Sequence, residues 1–168
     1  MNRIVIYLFV QFICISAFAE QTILLNSGQE EYIAEKSEIS VFKTKNTQIN
    51  IDSILAGTDT DFRPLQSFVN DDPDAVYWLK FKLYQNNNVS EKWILEILDS
   101  RHYSVELYTI NHNGSYFLQT SGIQHPFSKR EYLHKNFVFD LRLQEKYPTE
   151  FYLKITPQTI GSFIFKYL

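Results

Sequence analysis

The sequence predicts an all-β domain, a β-sandwich or jelly roll, with one short helix before its central strands. Many short runs rich in β-branched and aromatic residues alternate apolar with polar side chains at a period of two. Turn-forming residues separate these runs at near-regular spacing, as in two-sheet proteins. The 14 Phe and 11 Tyr residues suit a core of large β-formers. No long stretch shows helical periodicity.

The chain begins with the features of a secretory signal peptide. Arg3 gives a basic start, residues 4–15 are apolar apart from one glutamine, and Ala17 and Ala19 occupy the positions that signal peptidase reads. We therefore expect cleavage after Ala19, export to the periplasm or the extracellular space, and a single mature domain over residues 20–168. An uncleaved membrane anchor is the alternative, although the apolar run is short for a bilayer span.

The only cysteine, Cys14, lies within this predicted signal peptide. The mature domain is therefore expected to have no disulfide and to depend on its hydrophobic core for stability. The net charge of the chain is −3, and no basic cluster is visible. Because nucleic acids require a basic surface, the composition gives no reason to expect a nucleic-acid partner.

The first part of the chain is polar and irregular up to residue 50, with a strand indicated over residues 39–42. Asp52 then resembles an N-cap for a short helix over residues 53–56, which Gly57 ends. A loop follows over residues 59–74. Strands are predicted next over residues 77–84, 93–98, 104–110, 115–121, 136–143, 150–156 and 162–167. Asn113-Gly114, between two of these strands, is a strong hairpin signal.

The strand over residues 77–84 has the clearest alternation. Leu79, Phe81 and Leu83 are expected on the buried side, while Trp78, Lys80, Lys82 and Tyr84 share the opposite side. The cluster of asparagines at 86–88 that follows is typical of a turn. Trp93 shares its side with Leu95 and Ile97, so we expect it in the core.

The order of these segments resembles a known family. The segments are Tyr-Trp-Leu-Lys at 77–80, Trp-Ile-Leu-Glu at 93–96, Val-Glu-Leu-Tyr at 105–108, Thr-Ser-Gly at 120–122 leading into residues 125–130, and Phe-Val-Phe-Asp-Leu at 137–141. Together they resemble the second type of extracellular domain of the bacterial 7TM receptors with diverse intracellular signalling modules.

This resemblance implies a periplasmic sensory domain with a jelly-roll, galactose-binding-like fold similar to that of carbohydrate-binding modules. In the family, the domain normally precedes a seven-helix membrane region and a histidine kinase or cyclic-di-nucleotide output domain. The present sequence stops at Leu168. The expectation is therefore either the input part of a receptor split or truncated before its membrane region, or a domain that acts with a separate membrane-embedded signalling partner.

Four residues are candidates for ligand contact. Trp78, Lys80 and Tyr84 are expected to project from one strand toward an open surface, where an indole can stack on a pyranose ring. A packing role for Trp78 under a loop or at the strand end is the alternative. Arg130 lies in a loop, where its guanidinium can bond two sugar hydroxyls or a carboxylate. An ion pair that pins this loop is the alternative for Arg130.

Acidic residues and histidines are side chains of this sequence that could ligate a metal. Several carboxylates in one loop suit calcium, but their spacing matches no known motif, so a solvated acidic loop is the default. These residues are Asp59, Asp61, Asp71, Asp72 and Asp74. The histidines lack the short spacing of metal sites and are interpreted as surface or loop residues. They are His102, His112, His125 and His134. We expect no metal and no cofactor.

No nucleophile elbow, phosphate-binding loop or catalytic cysteine is present in the sequence. The leading hypothesis is a non-enzymatic sensory module that binds a small extracellular ligand, a carbohydrate or another polyol. A secreted structural or protein-interaction sandwich is the alternative. A small polysaccharide-active enzyme is a third hypothesis, because the separation of paired carboxylates is a three-dimensional property.

Overall fold

The computed structural model describes residues 21–58, 60–85 and 92–168. The predicted signal peptide and its cleavage site lie outside the described residues, as do Asp59 and the turn expected at 86–88. Within the described residues the regular secondary structure is almost entirely β-strand, with one α-helix of five residues. In this part of the chain, no helix has the length and apolar character needed to cross a membrane.

Eleven strands and the helix α1 (Ile51–Leu55) make up the fold. In chain order the strands are β1 (Thr22–Leu25), β2 (Tyr32–Ile33), β3 (Ser40–Thr44), β4 (Arg63–Pro64), β5 (Val76–Gln85), β6 (Trp93–Ile97), β7 (His102–Ile110), β8 (Tyr116–Ser121), β9 (Phe137–Leu141), β10 (Thr149–Pro157) and β11 (Phe165–Tyr167). Single 3₁₀ turns lie at Lys36–Glu38 and Phe127–Lys129.

The strands form two sheets. The larger sheet has seven strands in the order β4-β3-β5-β10-β7-β8, and β1 also pairs with β5. The smaller sheet has the order β2-β11-β6-β9. All pairs are antiparallel except β1 with β5, which is parallel. The all-β, two-sheet expectation is confirmed.

Most of the predicted strands are present with bounds close to those expected, but two differences stand out. The segment before residue 39, expected to be irregular, contains β1 and β2, which are too short to give a clear alternation. The strand expected over residues 162–167 forms only from Phe165. The residues before it instead pair with the loop at 68–70.

The core lies between the two sheets. Leu79 pairs in register with Leu153 and, beyond it, Leu107, and all three side chains are fully buried. Two residues further along β5, the ring of Phe81 stacks on that of its partner Phe151, with the ring centroids 5.4 Å apart. The predicted inward side of β5 is therefore confirmed, and Trp93 lies in the core as expected, with 2% of its surface exposed.

Helix α1 covers the outer face of the larger sheet. Its N-cap is Asn50, whose side-chain oxygen accepts a hydrogen bond from the Ser53 amide at 3.0 Å. The expected cap, Asp52, lies instead inside the first turn, so that prediction is wrong by two residues. Ile51 and Ile54 project from the helix onto the sheet and are buried there. The chain leaves the helix at Gly57, which has a positive φ of 69° as a helix-ending glycine requires.

His102 is the second correction. The sequence indicated a surface or loop position, but the residue starts β7 and is fully buried. Its imidazole lies between the rings of Phe137 and Phe163, at centroid distances of 6.3 and 6.2 Å. Its Nε2 is 3.2 Å from the Ser162 carbonyl oxygen.

Candidate ligand-binding cleft

A cleft of about 670 Å³ opens where the two sheets separate beside β3 and β4. It exists because β4 has only two residues, which pair with Ser40 and Val41 and leave the rest of the β3 edge uncovered. The loop after β4 forms the opposite wall. Its lining residues are Val41, Phe42, Lys43, Asp61, Arg63, Pro64, Leu65, Gln66, Ser67, Val69, Asp71, Tyr77 and Phe163.

The floor of the cleft is apolar and aromatic. The rings of Tyr77 and Phe163, only 3% and 1% exposed, lie beneath this floor with their centroids 5.0 Å apart. The apolar surface that is open to a ligand comes from less buried residues such as Val41 and Val69. Val41 is partly exposed because it belongs to β3, where the sandwich is open. A concave apolar surface of this kind, next to a few polar groups, is typical of small-ligand sites.

The rim carries paired charges. The Lys43 ammonium lies 2.8 Å from a carboxylate oxygen of Asp71, and the Tyr77 hydroxyl donates to the same carboxylate at 3.0 Å. Both hydrogen bonds lower the pKa of Asp71, and the one from Lys43 has the larger effect. On the β4 side, Arg63 donates from Nε to Asp61 at 2.8 Å. Asp71 is therefore ionised, and each charged group of the rim has a partner of opposite charge.

The wall of the cleft is fastened to the segment that precedes β11. The Asn70 amide donates to the Gly161 carbonyl at 3.1 Å, and the Phe163 amide donates to the Phe68 carbonyl. The Ser162 amide donates to Asp99 at 2.6 Å. These bonds fix the position of Phe163, and with it one side of the cleft floor.

Asp99 anchors this arrangement as a buried carboxylate. Burial alone would raise its pKa, but hydrogen bonds from Arg101 and from the Ser162 amide outweigh it and lower the pKa to about 2. Arg101 forms a bidentate ion pair with Asp99, in which Nε donates to Oδ1 and Nη2 donates to Oδ2, each at 2.9 Å. Gly161 packs against the carboxylate, since a Cβ there would lie 2.5 Å from Asp99 Oδ2.

Trp78, the leading candidate from the sequence, is fully buried. It faces the expected side of β5, but α1 covers that side. Its indole packs with Ile51 and Ile54 and stacks on Tyr108 at a centroid distance of 5.7 Å. The expectation of an open surface at Trp78 is therefore wrong, and the alternative of a packing role agrees with its position.

Lys80 and Tyr84 lie on the same side of β5 as Trp78 and are half-buried. The Lys80 ammonium lies 2.9 Å from a carboxylate oxygen of Glu150 and 5.6 Å from the ring centroid of Tyr152. Neither Lys80 nor Tyr84 lines the cleft. The predicted surface thus carries a charge network on the outer side of the larger sheet, away from the opening between the sheets.

Arg130 pins its own loop. Its guanidinium lies between the rings of Phe127 and Phe137, at 5.0 and 4.8 Å from their centroids. It also donates to the carbonyl oxygens of His134 and Lys135 at 3.0 and 3.3 Å. Its partners are backbone carbonyls rather than the carboxylate considered from the sequence. The structure therefore does not bring the four candidates together.

The acidic loop contributes to the cleft rim as ion pairs. Asp61 contacts Arg63, and Asp71 and Asp72 contact Lys43. Among the described residues, which exclude Asp59, no three His, Cys, Asp or Glu side chains are placed to hold a metal ion.

The cleft itself was not predicted from the sequence. The sequence pattern places Tyr77 only in a strand and Phe163 only in the final predicted strand. The pairing of β4 continues past Pro64, where the Leu65 amide donates to the Ile39 carbonyl at 2.9 Å, and it ends on the other side, at Arg63. The part of β3 after Val41 is therefore uncovered, and Pro64 does not mark this opening. The meeting of Lys43, Asp71 and Phe163 depends on loop pairing that no local pattern encodes.

The chain was compared with curated proteins and with family models. No curated protein matches the chain. The family model described as 7TMR-DISM extracellular 2 matches residues 36–166, which includes every residue that lines the cleft and all strands from β3 to β10. The match agrees with the resemblance seen in the order of the strand segments. The chain therefore belongs to the 7TMR-DISM extracellular 2 family, a family of extracellular domains of 7TM receptors.

Proposed function

We propose that this protein is a non-enzymatic periplasmic sensory domain that binds a small carbohydrate in the cleft beside β3 and β4. Family membership supports an extracellular sensory input role. The observation that carries the ligand site is the apolar floor, built over the rings of Tyr77 and Phe163 and exposed at Val41 and Val69, next to the charged rim of Lys43 and Asp71.

The chemistry of the cleft suits a sugar. Pyranose rings have apolar faces that pack on aromatic and aliphatic surfaces, and hydroxyl edges that need donors and acceptors. The rim supplies an ammonium at Lys43, a guanidinium at Arg63 and carboxylates at Asp61 and Asp71. Hydrogen bonds to such charged groups are stronger than those between neutral groups. A jelly-roll relationship to carbohydrate-binding modules belongs to the same proposal, and the two-sheet architecture supports it.

The electrostatics favour binding over catalysis. A glycoside hydrolase needs one carboxyl group with a raised pKa to protonate the leaving group. In the cleft, Lys43 and Tyr77 lower the pKa of Asp71 instead. The Asp71 carboxylate is therefore suited to accept hydrogen bonds from a ligand.

As a receptor input module, the domain would pass a binding signal to a membrane component. That component is either a membrane region belonging to the same receptor or a separate membrane-embedded partner. The segment joining the cleft to the last strand offers a route, because Phe163 lines the cleft and β11 begins two residues later.

A glycan array followed by calorimetric titration of the best ligand tests the proposal. Lys43→Ala and Arg63→Ala should each weaken binding about tenfold or more, the loss expected for one charge-assisted hydrogen bond. Lys80→Ala is the matched control, since it removes a lysine with an ion pair outside the cleft. Binding that survives both cleft changes would place the site elsewhere, and an array without any bound glycan would contradict the carbohydrate class.

A further inference from the structure

Strand β8 is the edge of the larger sheet opposite to the cleft. The Asn111 amide donates to the Ser115 carbonyl at 2.7 Å, which identifies these two residues as a hydrogen-bonded pair at the start of the β7–β8 hairpin. Antiparallel pairing alternates along a strand, so Phe117 and Gln119 direct their amide groups toward β7. The amide groups of every second residue therefore point away from the sheet. These residues are Tyr116, Leu118 and Thr120.

This outward edge has no partner among the described residues. No hydrogen bond in the described part of the chain joins the outward amide and carbonyl groups of these three residues to another segment. The side chains of Tyr116 and Leu118 are each 40% exposed. An edge of this kind is a template for a further strand.

The edge also lacks the features that normally prevent pairing. Proteins protect edge strands with charges, prolines or short length. Each of the other edges has at least one of these features, since β4 carries Arg63 and Pro64, β9 carries Asp140, β2 has two residues and β1 has four. Strand β8 has six residues, Tyr-Phe-Leu-Gln-Thr-Ser, without a charge or a proline.

We propose that β8 pairs with β8 of a second copy of this chain in an antiparallel, two-fold symmetric dimer. In the register centred on Leu118, this residue faces its own copy and Tyr116 faces Thr120 of the second copy. All three outward residues then form hydrogen-bonded pairs, and the two larger sheets become one continuous sheet. A two-fold interface must be complementary to itself, and a strand without charges meets this condition.

Charged groups lie close to the strand on both of its faces. On the inner side, Arg142 lies 3.4 Å from the ring centroid of Phe117, and Lys129 and Glu131, of opposite charge, line a small pocket with Thr120.

On the outer face, Glu106 is next to Thr120, but its charge is balanced by Lys154 at 3.6 Å. On this face, β7 therefore places no unpaired charge near the two-fold axis. The cleft lies beside β3 and β4 at the other edge of the same sheet, so both clefts of the dimer remain open.

Sedimentation of the exported protein with charge-swap variants tests the pairing. The wild-type protein should show twice the monomer mass at high protein concentration. Leu118→Lys and Leu118→Glu should each be monomeric, because like charges would meet at the axis, and an equimolar mixture should recover the dimer. Leu133→Lys is the control, since Leu133 is 72% exposed and lies outside β8. It should behave as the wild type.

A cross-link provides a second measurement that does not depend on a buried charge. Hydrogen-bonded antiparallel pairs have Cα atoms about 5.5 Å apart, within the range of a disulfide. Leu118→Cys should therefore form a disulfide-linked dimer on mild oxidation, while Leu133→Cys should not. A wild-type protein that remains monomeric, a mixture that does not pair, or equal cross-linking of the two cysteine variants would overturn the proposal.

Discussion

Replacing Trp78 with alanine should destabilise the domain strongly without a direct effect on the cleft. The indole is fully buried between α1 and the larger sheet. Removing a buried tryptophan costs about 3–5 kcal/mol of the free energy of unfolding. The stack on Tyr108 is part of that loss, since aromatic pairs contribute about 0.5–1.5 kcal/mol beyond burial.

Trp78→Phe provides an internal comparison. The indole nitrogen of Trp78 is buried and has no hydrogen-bond partner in the described structure. Its replacement by a phenyl ring therefore removes an unsatisfied polar group, which offsets part of the smaller ring's lost packing. We expect a cost of about 1–2 kcal/mol, clearly less than for alanine.

Urea unfolding monitored by the fluorescence of Trp93 measures both changes, because Trp93 remains in the core of either variant. Lys80→Ala is the control on the same strand side and should cost less than about 1 kcal/mol. If Trp78→Ala changed the free energy of unfolding by no more than Lys80→Ala does, the packing of α1 over this face would be refuted.

Three further outcomes are expected. Gly161→Ala should lower the melting temperature and weaken ligand binding, because its Cβ would displace Asp99 from the segment that holds Phe163; an unchanged melting temperature would contradict this. The free energy of unfolding should fall as the pH drops below 6.5. Burial lowers the pKa of His102 in the folded state, so the unfolded state binds the proton first, and the slope approaches about 1.4 kcal/mol per pH unit. Urea titrations at several pH values should show a smaller slope for His102→Gln, and an equal slope would exclude His102 as the source. N-terminal sequencing of the exported protein should begin at Glu20, whereas a retained Met1 would revive the membrane anchor.

The sequence correctly predicted the features that depend on local alternation, such as which side chains share a strand face. It did not predict the features that depend on packing against a distant segment. The inward side of β5 followed from the spacing of Leu79, Phe81 and Leu83, since strand geometry alone determines which side chains share a face. The same rule placed Trp78 correctly on the other face. It could not show that this face is covered, because the cover comes from α1, more than twenty residues earlier in the chain.

Two smaller errors have the same origin. Asn50 and Asp52 are both good N-cap residues, and the choice between them depends on which turn lets Ile51 and Ile54 contact the sheet. The histidines lack metal-site spacing, so His102 was interpreted as a surface or loop residue, but β7 places it against the ring of Phe163 in the core. The cleft combines three segments distant in sequence, so its shape appears only once the loop at 68–70 pairs with residues 161–163.

The position of Phe163 has a consequence for how occupancy of the cleft could be detected. The next residue, Ile164, accepts a hydrogen bond from the Leu98 amide at 3.0 Å, and β11 then runs between β2 and β6. A ligand that restrains Phe163 therefore also restrains the start of β11, although it does not contact that strand. Amide hydrogen exchange in β11 and at Leu98 would slow on binding, and the smaller sheet would report on an event at the edge of the larger one.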